Sequence, residues 1–258
     1  RSVAAGGGDR LYVAGDDVVA VLDAATARAR LETDGSPTCL TADADGKLYV
    51  GVKDHVEVFD TADGRRLTVW DSLGEDAWLT SPLRHEDELL AADAGNRVVL
   101  RFGLDGSALG ALTEDPRFVV PSPFFDLADG PADLVLVANP GQHRIELTTP
   151  SGEVEMAWGR PGADEAGFVG CCNPINVAVL PTGDVVTAEK GEARVKTYTV
   201  DGTFLGLVTD DFAAHDLACA GREVHEVGLD LAVDSRGRIA VLERCTGRVR
   251  TFEPVERG

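Results

Sequence analysis

"LLAADAGNRVVLRF", Leu89–Phe102, reads as two β-strands folded back on each other. The apolar run Leu89–Ala92 ends on Asp93. Gly95-Asn96 supplies a tight turn, and a second apolar run begins at Val98 after Arg97. Short apolar runs bounded by Gly, Asn and Asp mark buried strands, and a two-residue Gly/Asn turn between them marks an antiparallel hairpin. Just outside it, Asp105-Gly106 is a second turn that opens a further strand.

The same unit recurs along the chain. Its other copies are "LYVAGDDVVAVLD" (Leu11–Asp23), "LYVGVKDHVEVFD" (Leu48–Asp60), "LVLVANPGQHRIEL" (Leu134–Leu147), "VVTAEKGEARVKTY" (Val185–Tyr198) and "IAVLERCTGRVRTF" (Ile239–Phe252). The position that opens the third strand runs Val18, His55, Arg97, Arg144, Arg194, Arg248, with spacings of 37, 42, 47, 50 and 54 residues. Asp63, Asp105, Ser151 and Asp201, each followed by Gly, open fourth strands. A repeat of roughly 40–50 residues carrying four antiparallel strands is a propeller blade. The expected fold is therefore all-β, a single six-bladed β-propeller with blades at about 1–34, 35–72, 73–114, 115–160, 161–210 and 211–258. A helical solenoid is excluded, because no segment sustains a 3.6-residue period.

"ADAGNRVVLRFGLDG" (Ala92–Gly106) and "TAEKGEARVKTYTVDG" (Thr187–Gly202) resemble NHL repeats, with a strand closing on an acid, an Arg-Val step and a following Asp-Gly. The resemblance covers nearly the whole chain and is strongest in blades three to six. It implies a platform that binds a protein or a small ligand. In a minority of such propellers it implies a metal-dependent lyase. The "GCCNP" stretch from Gly170 to Pro174 also resembles bacterial NHL-repeat proteins, without pointing to an activity.

Bulk composition narrows the partners. Of 258 residues, 44% are hydrophobic, enough for a real core. The formal charge is −20, from 44 acidic and 24 basic residues. Such a surface repels a phosphate backbone and an anionic membrane, so nucleic acid is not an expected partner. No apolar run reaches the roughly 18 residues of a membrane span, so direct membrane insertion is not expected either. The sequence has no P-loop, no Gly-rich dinucleotide fingerprint and no G-x-S-x-G elbow, and its five cysteines fit no zinc-ligand spacing.

Repeat length grows through the connections between blades, at Thr113–Ser122, Arg160–Cys172 and Asp210–Val227. In a propeller these connections share one face with the turns between second and third strands. Long loops on a rigid sheet carry function, so that face is the expected site. Cys171-Cys172 ends the second insert, which places the doublet near the axis. Adjacent Cα atoms lie about 3.8 Å apart and ordinary disulfides span about 4.4–6.8 Å, so a Cys171–Cys172 bridge is expected to be strained and readily reduced. The alternatives are a dithiol that meets ligand, or two small residues filling a bend. A second disulfide, Cys219–Cys245, is expected. Together the two bridges place the protein outside the cytoplasm, periplasmic, secreted or anchored by a removed N-terminal segment. Cys39 is left as a buried thiol.

First-strand alignment puts Asp126, Asn176 and Asp230 in one register, with Thr80 and Cys39 beside them. Their oxygens are a candidate set for Ca²⁺ or another divalent cation; the alternative is a hydrogen-bonded ring. Second strands end on Asp93, Asn139, Glu189 and Glu243, facing the returning Arg97, Arg144, Arg194 and Arg248, and acid–Arg pairing across the turn is expected. Lys190 and His143 break that pattern. The NHL resemblance also implies a His₃ zinc site, for which His143, His215 and His225 are the histidines that can reach the insert face. Trp70, Trp78, Trp158, Phe124 and Phe125 read as packing between blades.

The reading reached is a binding propeller that docks a small ligand, metal ion or protein around Cys171, Cys172, Asn173, Asn139, His143, Glu189, Lys190 and His215. A metal-dependent lyase or hydrolase and a redox partner using Cys171 and Cys172 stay open beside it.

Overall fold

The computed structural model describes residues 2–23, 26–113, 116–213, 218–223 and 226–253. Six antiparallel sheets follow one another along the chain, with strands in sequential order from the axis outward. Blade one holds β1 Val3–Ala5, β2 Arg10–Ala14, β3 Val18–Asp23 and β4 Thr26–Glu32; blade two holds β5 Cys39–Ala42, β6 Lys47–Val52, β7 His55–Asp60 and β8 Arg66–Val69. Blade three has β9 Leu79–His85, β10 Glu88–Asp93, β11 Val98–Gly103 and β12 Ala108–Ala111; blade four has β13 Asp126–Asp129, β14 Val135–Asn139, β15 Arg144–Thr148 and β16 Val154–Trp158. Blade five has β17 Asn176–Val179, β18 Val185–Ala188, β19 Val195–Tyr198 and β20 Phe204–Thr209; blade six has β21 Leu229–Val233, β22 Ile239–Glu243 and β23 Arg248–Phe252. Among the described residues blade six is three-stranded.

The innermost strands β1, β5, β9, β13, β17 and β21 each contact the next, and β21 returns to β1. The ring is therefore closed, and the fold is a six-bladed β-propeller. Second strands are buried almost end to end, as in β14 and β22, whereas fourth strands such as β8 are exposed. Each second strand is covered on both faces by neighbouring blades, which explains its near-continuous apolar sequence.

Six apolar cores result, one at each blade interface. The core between blades six and one is the smallest, with Val3, Ala232, Ala240 and Leu242 as its buried members. The Asp-Gly turns take part in this packing. Gly106 and Gly202 adopt φ of +89° and +88°, which L side chains rarely adopt. A Cβ on Gly106 would lie 2.7 Å from the Trp70 ring, and one on Gly202 would lie 2.5 Å from the Trp158 ring. Each glycine thus presses its backbone onto the tryptophan at or just after the end of the preceding blade's fourth strand. Trp70 and Trp158 are packing residues, as their place in the repeat suggests.

Candidate functional site

First strands enter the ring from the insert-bearing face, so their opening residues meet at the axis. Asp126, Asn176 and Asp230 come together there, as the alignment expects. Asn176 Nδ2 donates to Asp230 Oδ1 at 2.9 Å and to Asp126 Oδ2 at 3.3 Å. Asp126 Oδ2 accepts the Val177 N–H at 2.8 Å, and Asp230 Oδ2 accepts the Val3 N–H at 2.7 Å and the Ser2 hydroxyl at 2.8 Å. Ser81 Oγ accepts the Leu127 N–H at 3.2 Å, and Thr80 Oγ1 donates to Phe125 O at 2.6 Å. Each side chain therefore stitches one blade to the next. Burial, reinforced by the charge of Asp230, raises the Asp126 carboxyl to about 6. Burial also pushes the Cys39 thiol up to about 12.

In this structure the three side chains form the hydrogen-bonded ring that the sequence left as the alternative to a cation site. Asn176 Nδ2 lies between the two carboxylates and donates to both. Among the described residues no cluster of three or more His, Cys, Asp or Glu could hold a metal ion.

A cavity of about 460 Å³ lies at the axis on the insert face. Trp78, Phe124, Phe125 and Ile175 form apolar walls, Ser36 and His55 stand at blade two, and Asn176 and Arg244 are polar members. Its lining comes from blade-to-blade connections and from turns between second and third strands. Arg244 Nη2 donates to Asp230 Oδ1 at 3.2 Å, the oxygen that also accepts from Asn176. The two side chains are thus held side by side. Asn176 Oδ1 and Arg244 Nε are both buried without a hydrogen-bond partner among the described residues. Unpaired buried polar atoms are uncommon in folded proteins and need a physical explanation.

A second cluster gathers around the Phe124 ring. Lys190 Nζ lies 4.6 Å from the Phe124 ring centroid and Arg244 Cζ lies 5.0 Å from it. Lys190 and Arg244 each follow the acid that ends a second strand, Glu189 and Glu243, so adjacent blades contribute equivalent cations to one ring. Lys190 Nζ donates to Ser122 Oγ at 2.7 Å. Cys171 is exposed and Cys172 is buried, with their Sγ atoms 3.1 Å apart. The expected bridge between them is not formed in this structure, where both are thiols. Adjacent residues hold their Cα atoms closer than a disulfide prefers. Burial opposes ionisation of Cys172, but Ser122, Cys171 and Lys190 outweigh it and hold the thiol below its ordinary value. Hydrogen bonding and charge from Cys172 raise Cys171.

Asn173 fixes this geometry. Its Nδ2 donates to Val169 O at 2.6 Å and Lys190 O at 3.0 Å, and its Oδ1 accepts the Lys190 N–H at 2.9 Å. The side chain clamps the cysteine loop to the turn that carries Lys190. His143 Nε2 lies 2.8 Å from Gly170 O, so it supports the same loop from blade four.

No family model matches the chain, and no curated protein matches it. In solved structures the fold is similar to a protein of unknown function from Bacteroides caccae, at 13% identity and a TM-score of 0.62, over 92% of this chain and 83% of that one. It is also similar to a structural genomics protein of unknown function from Bacteroides thetaiotaomicron, at 15% identity and a TM-score of 0.68, over 98% of this chain and 68% of that one. At such identities the likeness is one of fold.

The remaining expected residues divide clearly. Asn139 and Glu189 are buried anchors. Asn139 Oδ1 accepts the Val119 N–H at 3.0 Å, Glu189 Oε2 accepts the Val169 N–H at 2.7 Å, and Asp93 Oδ1 accepts the Trp78 N–H at 2.8 Å. The repeated acid or amide thus catches the incoming connection of its own blade. The expected acid–Arg pairing holds in blade five, where Arg194 lies 2.9 Å from Glu189. It does not hold in blades three and four. Arg97 sits exposed in a left-handed turn with φ +58°, and Arg144 pairs with Glu146 at 2.7 Å. In blade six Glu243 faces Arg250, not Arg248, at 3.9 Å. His215 and His225 lie outside the described residues. The sequence reading missed the cavity role of Trp78, Phe124, Phe125 and Arg244. The signal for Arg244 was its place in the repeat, equivalent to Lys190.

Proposed function

We propose that the protein is a binding propeller of the NHL type whose ligand is a small amphipathic molecule seated in the axial cavity of the insert face. The observation that carries this reading is the apolar-walled cavity of about 460 Å³ with two unpaired polar atoms beside it. That volume lies within the range of small-ligand sites, which are largely apolar with a few placed polar groups. The occupant's polar head lies against Asn176 and Arg244, the polar members of the lining. Its apolar body lies against Trp78 and Phe124. The Cys219–Cys245 bond, with Cα atoms 5.4 Å apart, supports an oxidising compartment and so an extracytoplasmic location.

A thermal-shift and calorimetric screen of amide- and carboxylate-bearing small molecules tests the reading. A true ligand at 100 times its Kd stabilises the fold by about 2.7 kcal/mol. Its effect is lost in Ser36→Trp, which places a large ring at the exposed mouth, and weakened at least tenfold in Trp78→Ala. A ligand whose binding survives both substitutions, or a screen with no stabilising compound, removes the proposal.

A further inference from the structure

We infer that Cys171 and Cys172 form a reversible dithiol–disulfide couple, with Cys171 as the exposed attacking thiol, Cys172 as the buried resolving thiol and Lys190 as the cation that favours its thiolate. The oxidant is a small-molecule disulfide. This assignment stands apart from the axial cavity and survives or fails without it.

Three observations combine. The sulfurs are already 3.1 Å apart, so the second covalent step needs little motion. Their exposures are unequal: Cys171 is open to solvent, whereas Cys172 is 5% exposed. An external disulfide reaches the first sulfur and not the second. The loop is also held in place by Asn173, which bonds both backbone groups of Lys190; Lys190 Nζ donates to Ser122 Oγ at 2.7 Å, and Ser122 and Lys190 both act on the Cys172 thiol.

The chemistry balances in two exchanges. The Cys171 thiolate attacks one sulfur of the small disulfide RSSR, forms Cys171–S–S–R and releases RS⁻. The Cys172 thiolate then attacks the Cys171 sulfur, forms the Cys171–Cys172 bond and expels the second RS⁻. Two thiol protons leave the protein, both released thiolates take up protons as RSH, and RSSR is reduced as the dithiol is oxidised. Cys172 is held below the ordinary thiol value and Cys171 above it. The second exchange is intramolecular and its sulfurs start 3.1 Å apart, so the mixed disulfide closes as soon as it forms. The strain of a bridge between neighbours makes the closed form easy to reduce again.

The test is a time course with oxidised glutathione, quenched by alkylation and read by intact-mass and peptide mass spectrometry. Wild type is expected to lose two hydrogens at Cys171–Cys172 with no glutathione adduct above background, and to regain them with dithiothreitol. Cys172→Ser is expected to stop at a stoichiometric adduct on Cys171. Cys171→Ser is expected to react at least tenfold more slowly. Lys190→Met is expected to accumulate the adduct and to move the pH midpoint of closure upward, while Lys190→Arg restores wild-type behaviour. Circular dichroism and an intact Cys219–Cys245 bond confirm folding of each variant. A wild type that keeps both thiols free, a lasting wild-type adduct, or a Cys171→Ser variant that reacts as fast as wild type overturns the inference.

Discussion

Asp126 carries a charge where the fold least favours one. Burial raises its carboxyl to about 6, and Asp230 adds repulsion, while the Val177 N–H and Asn176 Nδ2 pull the other way. An unfolded aspartate ionises near 3.9, so between about pH 4 and pH 6 the folded chain holds a proton that the unfolded chain has lost. Stability falls with pH wherever the folded state binds more protons. The contribution of Asp126 is therefore greatest below about pH 4 and is lost as pH rises through 6. Asp126→Asn removes the titration. Melting temperatures at intervals from pH 4 to pH 7 are expected to show the advantage of wild type over Asp126→Asn shrinking as pH rises. Parallel curves would refute the argument. Cys39 shows a different residue-scale constraint: a Cβ on the facing Gly51 would sit 2.3 Å from its sulfur. A small residue in β6 is what gives the buried thiol its room.

At the scale of elements, β19 and the end of β18 explain why the insert before the cysteine pair is rigid. Lys196, wholly buried on β19, donates to Gly167 O at 2.7 Å and lies 2.7 Å from Glu189. Its ammonium is 4.6 Å from the Phe168 ring centroid. Tyr198 donates to Ala166 O at 3.1 Å, and Arg194 donates to Gly167 O at 3.2 Å. Glu189 is the hub, since it also holds the Val169 N–H. Desolvation lowers Lys196, so its charge depends on its partner. Removing one member of a buried pair costs about 3–5 kcal/mol when the other charge is left uncompensated. Glu189→Gln leaves Lys196 in that condition, whereas Lys196→Met leaves Glu189 with Arg194. Urea denaturation is expected to rank Glu189→Gln as the more damaging by at least about 1 kcal/mol. The reverse order would mean that the loop is not anchored through Glu189.

Across the whole molecule, what was legible in the sequence is what repeats. Strand order and the inward aim of Asp126, Asn176 and Asp230 follow from register, because a first strand can present only one face to the axis. The cavity was not legible. Its lining is gathered from five blades, residues 34–38 and 52–55, 78 and 80, 123–125, 175–176 and 244, which only ring closure brings together. An apolar residue such as Phe124 gives no sign of whether its far side meets another side chain or empty space. Ring closure is also where the fold is thinnest. The blade six–blade one core lacks any aromatic residue among its buried members. Polar links supplement it: Asp230 with Ser2 and Val3, and Asp9 with Arg238 and Arg236. Blade six, three-stranded among the described residues, is held internally by Cys219–Cys245, which closes a separation of 26 residues. A loop of that length contributes roughly 3 kcal/mol through lost unfolded-state entropy. If that bond offsets the weak closure, its loss should be felt locally before it is felt globally. In Cys219→Ser/Cys245→Ser, hydrogen exchange is expected to quicken in β21, β22 and β1, while β10 and β14, covered on both faces by larger cores, keep their protection. A uniform loss of protection over all six blades would instead mean that the ring opens as one cooperative unit, with no weak seam for the disulfide to guard.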